Sequence, residues 1–168
     1  MRALLDANIF ISFLLPSQRA TSITEIVEAG LAGEFTLLIT SALLEELARR
    51  VRTKHYLAAR ISMEKLQDLV DLLAESSDEI PEIVESIPAI SRDRKDDVTT
   101  QLPSWIVDAE SIPAISRDRK DDYLLAYSAV GEADYLVTGD DELLSLREVE
   151  GIKIVTPSEF LAILTQQR

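Results

Sequence analysis

The chain has 168 residues, 46% apolar and 28% charged, a length and balance that fit one globular domain whose core forms without staples. No run approaches the ~18 apolar residues of a membrane span, and the Met-Arg-Ala-Leu-Leu-Asp start has neither the long apolar stretch nor the cleavage site of a secretory signal, so the expected location is cytoplasmic. Zero cysteines exclude disulfides and thiolate metal sites, one histidine leaves little scope for zinc, and a formal charge of -13 argues against a general polyanion binder.

Arg2 to Leu5 is a short apolar run ending in Asp6-Ala7-Asn8, which predicts a buried first strand with Asp6 at its carboxyl end and an apolar helix from Ile9 to Leu15. Thr21 to Leu31 carries Ile23, Ile26, Val27 and Leu31 at helical spacing, with Gly30 and Gly33 as stop signals, and Phe35 to Ile39 follows as a strand. Ser41 is the expected N-cap of the next helix, whose apolar face is Leu43, Leu44, Leu47 and Val51. Glu45 and Glu46 flank that stripe almost symmetrically, so periodicity does not choose between them. Met63 to Ala74 is a further amphipathic helix, and Glu82-Ile83-Val84 is a candidate third strand.

ESIPAISRDRKDD then occurs twice without a change, at residues 85–97 and 110–122. Two copies are too few for a solenoid, so a duplication inside one domain, residues 1–168, is expected, with an insertion at about 86–109. Only the second copy runs into a helix, Tyr123-Leu124-Leu125-Ala126. The first meets the β-branched Val98-Thr99-Thr100 and then Pro103. On that helix Asp122 heads the stripe Leu125, Ala126 and Ala129, whereas Asp121 lines up with Leu124, Leu125 and Ser128, and spacing prefers Asp122 only modestly. Asp134 to Thr138 and Ile152 to Val155 read as buried strands, and Pro157 to Leu164 as a closing helix with proline in its first turn. This alternation predicts an α/β fold of three layers, α/β/α, around a central parallel sheet.

Such sheets bind ligands outside the carboxyl ends of their strands. Asp6, Glu45 or Glu46, Asp121 or Asp122, and Asp140 all fall at predicted strand ends or first helical turns. Acids there also complement helix dipoles and caps, the simpler explanation for any one of them. Gathered at one edge they would repel one another unless a cation neutralised them, and oxygen donors suit Mg²⁺ or Mn²⁺. Such a site activates water against a phosphodiester. Arg49, Arg50, Arg52, Lys54 and Arg60, with His55 among them, form one basic cluster, and Arg117, Arg119 and Lys120 form a second just before the Asp121-Asp122 pair. Their position near the acids makes Arg49, Arg52, Lys54, Arg117, Arg119 and Lys120 candidate phosphate contacts, while solvated charges at helix ends are the plainer account of each. His55 is expected at the surface or on phosphate. A glycine-rich phosphate loop is absent, and Asn8 breaks the Asp-x-Asp pattern of aspartyl-phosphate phosphatases.

Four segments together carry a family resemblance: Asp6-Ala7-Asn8 after the first strand, the Ser41-to-Leu47 helix start with its Glu-Glu-Leu, Arg-Asp-Arg-Lys-Asp-Asp-Tyr-Leu-Leu-Ala, and Tyr-Leu-Val-Thr-Gly-Asp-Asp-Glu-Leu-Leu. In this order and spacing the chain, apart from the insertion, resembles PIN-domain ribonucleases, in particular the toxins of bacterial and archaeal toxin-antitoxin pairs (VapC-like). The resemblance implies a Rossmann-like parallel sheet, RNA cleavage dependent on Mg²⁺ or Mn²⁺, an antitoxin protein as partner and a homodimer. It also implies Asp6, Glu46, Asp122 and Asp140 as catalytic metal ligands, supported by Asn8 and Thr138, with Asp121, Asp141 and Glu142 adding charge at the rim. The family interval of 18 residues to the Thr-Gly-Asp aspartate selects Asp122 over Asp121, and the glutamate directly before Leu47 is Glu46. The alternative expectation is a non-catalytic PIN-like module that binds RNA or protein.

Overall fold

The computed structural model describes residues 1–16, 21–81 and 122–167. In chain order these form β1 (Arg2–Leu5), α1 (Ala7–Leu14), α2 (Ser22–Leu31), β2 (Thr36–Ile39), α3 (Ser41–Thr53), α4 (His55–Ala58), α5 (Met63–Ser76) and β3 (Asp78–Glu79). They continue with α6 (Asp122–Val130), β4 (Tyr135–Val137), α7 (Asp141–Leu146), β5 (Glu148–Val149), β6 (Ile152–Val155) and α8 (Pro157–Gln167).

One sheet runs β3-β2-β1-β4-β6-β5, parallel throughout except for β5, which pairs antiparallel with β6. Helices flank this mostly parallel sheet in a three-layer α/β/α arrangement. The central strands are short and apolar because both faces are covered: Leu4, Leu5, Leu37, Leu38, Leu136 and Val137 are all buried. Phe160 of α8 closes one end of the core, edge-on to Phe35 at 5.1 Å and tilted against Tyr135 at 5.4 Å.

The strand order fixes where a ligand can sit. From β1 the chain moves outward to β2 and β3, then returns across β1 to lay down β4 on its other side. The switch point therefore lies between the carboxyl ends of β1 and β4, where loops diverge and leave a crevice. Leu5 and Val137 are paired there, and the next residue of each strand is Asp6 and Thr138.

Several local expectations change. Thr40, not Ser41, caps α3: it holds an extended backbone after β2, and its hydroxyl accepts from Leu43 N. The buried face of α6 is Leu124, Leu125 and Ser128, with Ala126 and Ala129 only half-buried, so the helix is turned to the register aligned with Asp121. The described third strand is the exposed pair Asp78–Glu79. Glu82-Ile83-Val84 and both copies of the repeat up to Asp121 lie outside the described residues. The β5–β6 hairpin turns through Glu150 and Gly151, both at positive φ (51° and 84°), the geometry of a tight turn that matches strand twist.

Candidate active site

Asp6 is only 5% exposed, an unusual position for a carboxylate, and it is hydrogen-bonded on both oxygens. Its Oδ1 accepts from Asn8 N at 3.1 Å, which caps α1. Its Oδ2 accepts from the hydroxyl of fully buried Thr138 at 2.9 Å and, more weakly, from Asn8 Nδ2 at 3.5 Å. A cap alone needs only the first of these contacts. The Thr138 hydroxyl in turn accepts from Asp140 N at 3.1 Å, tying the end of β1 to the loop after β4.

Glu46 comes from the first half of α3. Burial separates the two adjacent glutamates: Glu46 is 9% exposed, while Glu45 faces solvent. Both Glu46 oxygens are occupied. Arg50, one turn further along α3, places one guanidinium nitrogen 2.6 Å from Oε1 and donates from the other to Asn8 Oδ1, also at 2.6 Å. The Tyr123 hydroxyl, from the first turn of α6, donates to Oε2. Burial, that hydrogen bond and the charges of Glu46 and Asp6 raise the Tyr123 phenol far above its ordinary range, against a smaller opposite pull from Arg50, so it stays protonated and a donor.

A continuous chain thus runs Thr138–Asp6–Asn8–Arg50–Glu46–Tyr123, contributed by the ends of β1 and β4 and by α1, α3 and α6. Asp140 stands half-buried beside it as the cap of α7, its Oδ1 accepting from Glu142 N and Leu143 N. Asp141 and Glu142 are exposed on that helix, and Arg49, Arg52, Lys54 and His55 are exposed along α3 and at the start of α4. Asp121, the side chain of Asp122, Arg117, Arg119 and Lys120 lie outside the described residues.

Two participants were not legible as site residues. Arg50 counted only as one member of a basic cluster, yet Glu46-x-x-x-Arg50 is the helical spacing at which a glutamate meets a basic residue one turn on. Tyr123 follows the aspartate pair directly, and nothing in its spacing distinguishes it from a core aromatic.

Two buried carboxylates with oxygen donors around them suit a hard divalent cation in kind. Glu46 is already paired with Arg50, and among the described residues no three His, Asp or Glu side chains lie close enough together to hold a metal ion. Asp6, Glu46 and Asn8 therefore fit such a cation in chemistry, on condition that Arg50 gives up its hold on Glu46.

A three-layer α/β/α domain with buried acids at the switch point of its sheet is the architecture of a protein that binds its ligand at the carboxyl edge of the strands. The PIN-domain family model matches residues 2–142, and the chain belongs to that family. PIN domains are typically nucleases, hydrolases of nucleic acid. No curated protein matches the chain. The match takes in Asp6, Glu46, Thr138 and Asp140, hence the whole network just described. No described helix is long and apolar enough to cross a membrane.

Proposed function

We propose that the protein is a metal-dependent endoribonuclease, the toxin of a toxin-antitoxin pair. The observation that carries this reading is the pairing of buried Asp6 and buried Glu46 through Asn8 and Arg50 at the sheet's switch point. Asp6, Glu46, Asp122 and Asp140 would hold Mg²⁺ or Mn²⁺. When bound, such a cation supplies an activated water and neutralises charge on the phosphodiester. Thr138 and Asn8 fix the Asp6 carboxylate by donating to it, so that it does not turn away when the local charge changes. Exposed Arg49, Arg52 and Lys54 carry the phosphates of the RNA past the acids, together with Arg117, Arg119 and Lys120. An antitoxin protein and a second copy of the chain are the partners this reading carries, on the likeness to the toxin branch of the family.

Purified protein is expected to cut RNA when Mn²⁺ or Mg²⁺ is added and to stop on chelation. Asp122→Asn is expected to abolish the cut and Asp97→Asn to spare it. The opposite pattern would move the site to the first copy of the repeat.

One observation favours a second reading: Glu46 already has a cationic partner, as a module that binds without catalysis would allow. That module would show no change in melting temperature with Mn²⁺, whether or not it binds RNA, and a rise with Mn²⁺ excludes it.

A further inference from the structure

Arg50 is built into the acidic site rather than laid over it. Its side chain is 21% exposed and that of Glu46 10%, so solvent and salt screen the pair far less than a surface ion pair. Two separate guanidinium nitrogens are used, one on Glu46 and one on Asn8, a division that the planar fork of arginine allows and the single ammonium of lysine does not. Glu46 lies N-terminal to Arg50 on α3, the favourable order for a helical pair. Arg49 and Arg52, its basic neighbours on the same helix, are exposed. A divalent cation drawn to Glu46 would meet a positive charge already seated on that carboxylate, and the two cations repel.

We propose that Arg50 is a resident counter-ion that competes with the divalent cation for Glu46 and so sets the cation concentration at which the site fills. This rests on the cation reading given above. With Arg50 in place the buried Glu46 charge is stabilised without metal, which keeps the apo domain folded. Filling the site then requires the Arg50–Glu46 contact to open.

Calorimetric titration of Mn²⁺ into the wild-type chain, Arg50→Met and Arg50→Lys tests this, with melting temperature recorded alongside. Arg50→Met is expected to bind Mn²⁺ at least about tenfold more tightly, equivalent to about 1.4 kcal/mol, while its metal-free form melts lower because Glu46 is left buried and unpaired. Arg50→Lys is expected to fall between the two, and it decides the matter alone if Arg50→Met does not fold. In a Glu46→Gln background the gain from Arg50→Met should vanish, since the shared anion is gone. Wild-type binding with no gain in either Arg50 variant, or a gain that survives Glu46→Gln, would overturn the counter-ion role and leave the cation reading standing. Absence of Mn²⁺ binding in every variant would remove the cation reading itself.

Discussion

Replacing Thr138 by valine removes one oxygen from the middle of the network and leaves the shape nearly unchanged. Thr138 is fully buried, and its hydroxyl both donates to Asp6 Oδ2 at 2.9 Å and accepts from Asp140 N at 3.1 Å. A hydrogen bond to a charged group contributes about 1.5–3 kcal/mol, and an amide without a partner costs about 1 kcal/mol or more. The expected loss is therefore about 3 kcal/mol. In a domain of this size that lowers the melting temperature by roughly 6–12 °C. Thr138→Ser is the control, since it keeps the oxygen and gives up one methyl, worth about 1 kcal/mol. Urea denaturation of the three proteins, followed by circular dichroism at constant m-value, measures both differences. If Thr138→Val were no less stable than Thr138→Ser, the hydroxyl would not be holding Asp6, and the frame proposed for the site would fail.

Four further perturbations have expected outcomes. Gly131→Ala would set a Cβ 2.5 Å from Ile80 Cδ1 and 3.1 Å from Leu38 Cδ1, so it should cost about 1–3 kcal/mol. Gly139→Ala, in the Thr-Gly-Asp loop, meets nothing within 4 Å and should leave stability within about 0.5 kcal/mol; denaturant midpoints distinguish the two. At the start of α8, Thr156 and Glu159 form a reciprocal capping box, Glu159 N donating to Thr156 Oγ1 at 3.2 Å and Thr156 N to Glu159 Oε2 at 2.8 Å. Hydrogen bonds from the Thr156 backbone and side chain hold the Glu159 carboxyl below its usual range. Its contribution is thus present above the unfolded carboxyl pKa and fades as pH falls through the lower folded value. Thr156→Ala should cost about 1 kcal/mol near neutrality and less in acid, as read from stability curves against pH. Arg49→Ala with Arg52→Ala should weaken RNA binding evenly across sequences and reduce the salt slope by about 0.7 for each phosphate that is no longer neutralised, measured by fluorescence anisotropy over a salt series.

The parts of the fold that were legible in the sequence are those whose pattern follows from burial. Leu4–Leu5 and Leu136–Val137 are apolar because parallel strands covered on both faces have no polar side to show, whereas Ile152–Val155, next to the sheet edge, alternates buried Ile152 and Ile154 with exposed Lys153. Asp78–Glu79 carries no such pattern: two exposed acids become a strand only because β2 offers its edge, and Ile80 N then bonds Ile39 O. The cap at Thr40 was hidden by Ser41, an equally good capping residue one position on. The rotation of α6 escaped because alanine and serine differ little in bulk, and the fully buried Ser128 carries a hydroxyl with no partner among the described residues.

For the site, Asp6 and Asp140 were readable as acids at strand ends, and both prove to be helix caps as well, so position alone could not separate capping from chemistry. The burial of Asp6 and its bond from Thr138 make that separation, and both depend on strand order, which no local pattern encodes. Arg50 escaped notice for a related reason. A basic residue among basic residues looks solvated until the helix turns it toward a buried carboxylate.

RNA cleavage by the wild-type chain and by Asp6→Asn, with Mn²⁺ and at matched folded fraction, tests the central claim most directly. Asparagine keeps the size of the side chain, and its one amide oxygen can still accept from either Asn8 N or the Thr138 hydroxyl, so the domain should stay folded while its innermost carboxylate is removed. Cutting by the wild type and none by Asp6→Asn is the expected result. Equal cutting by a folded Asp6→Asn would place the chemistry elsewhere in the chain.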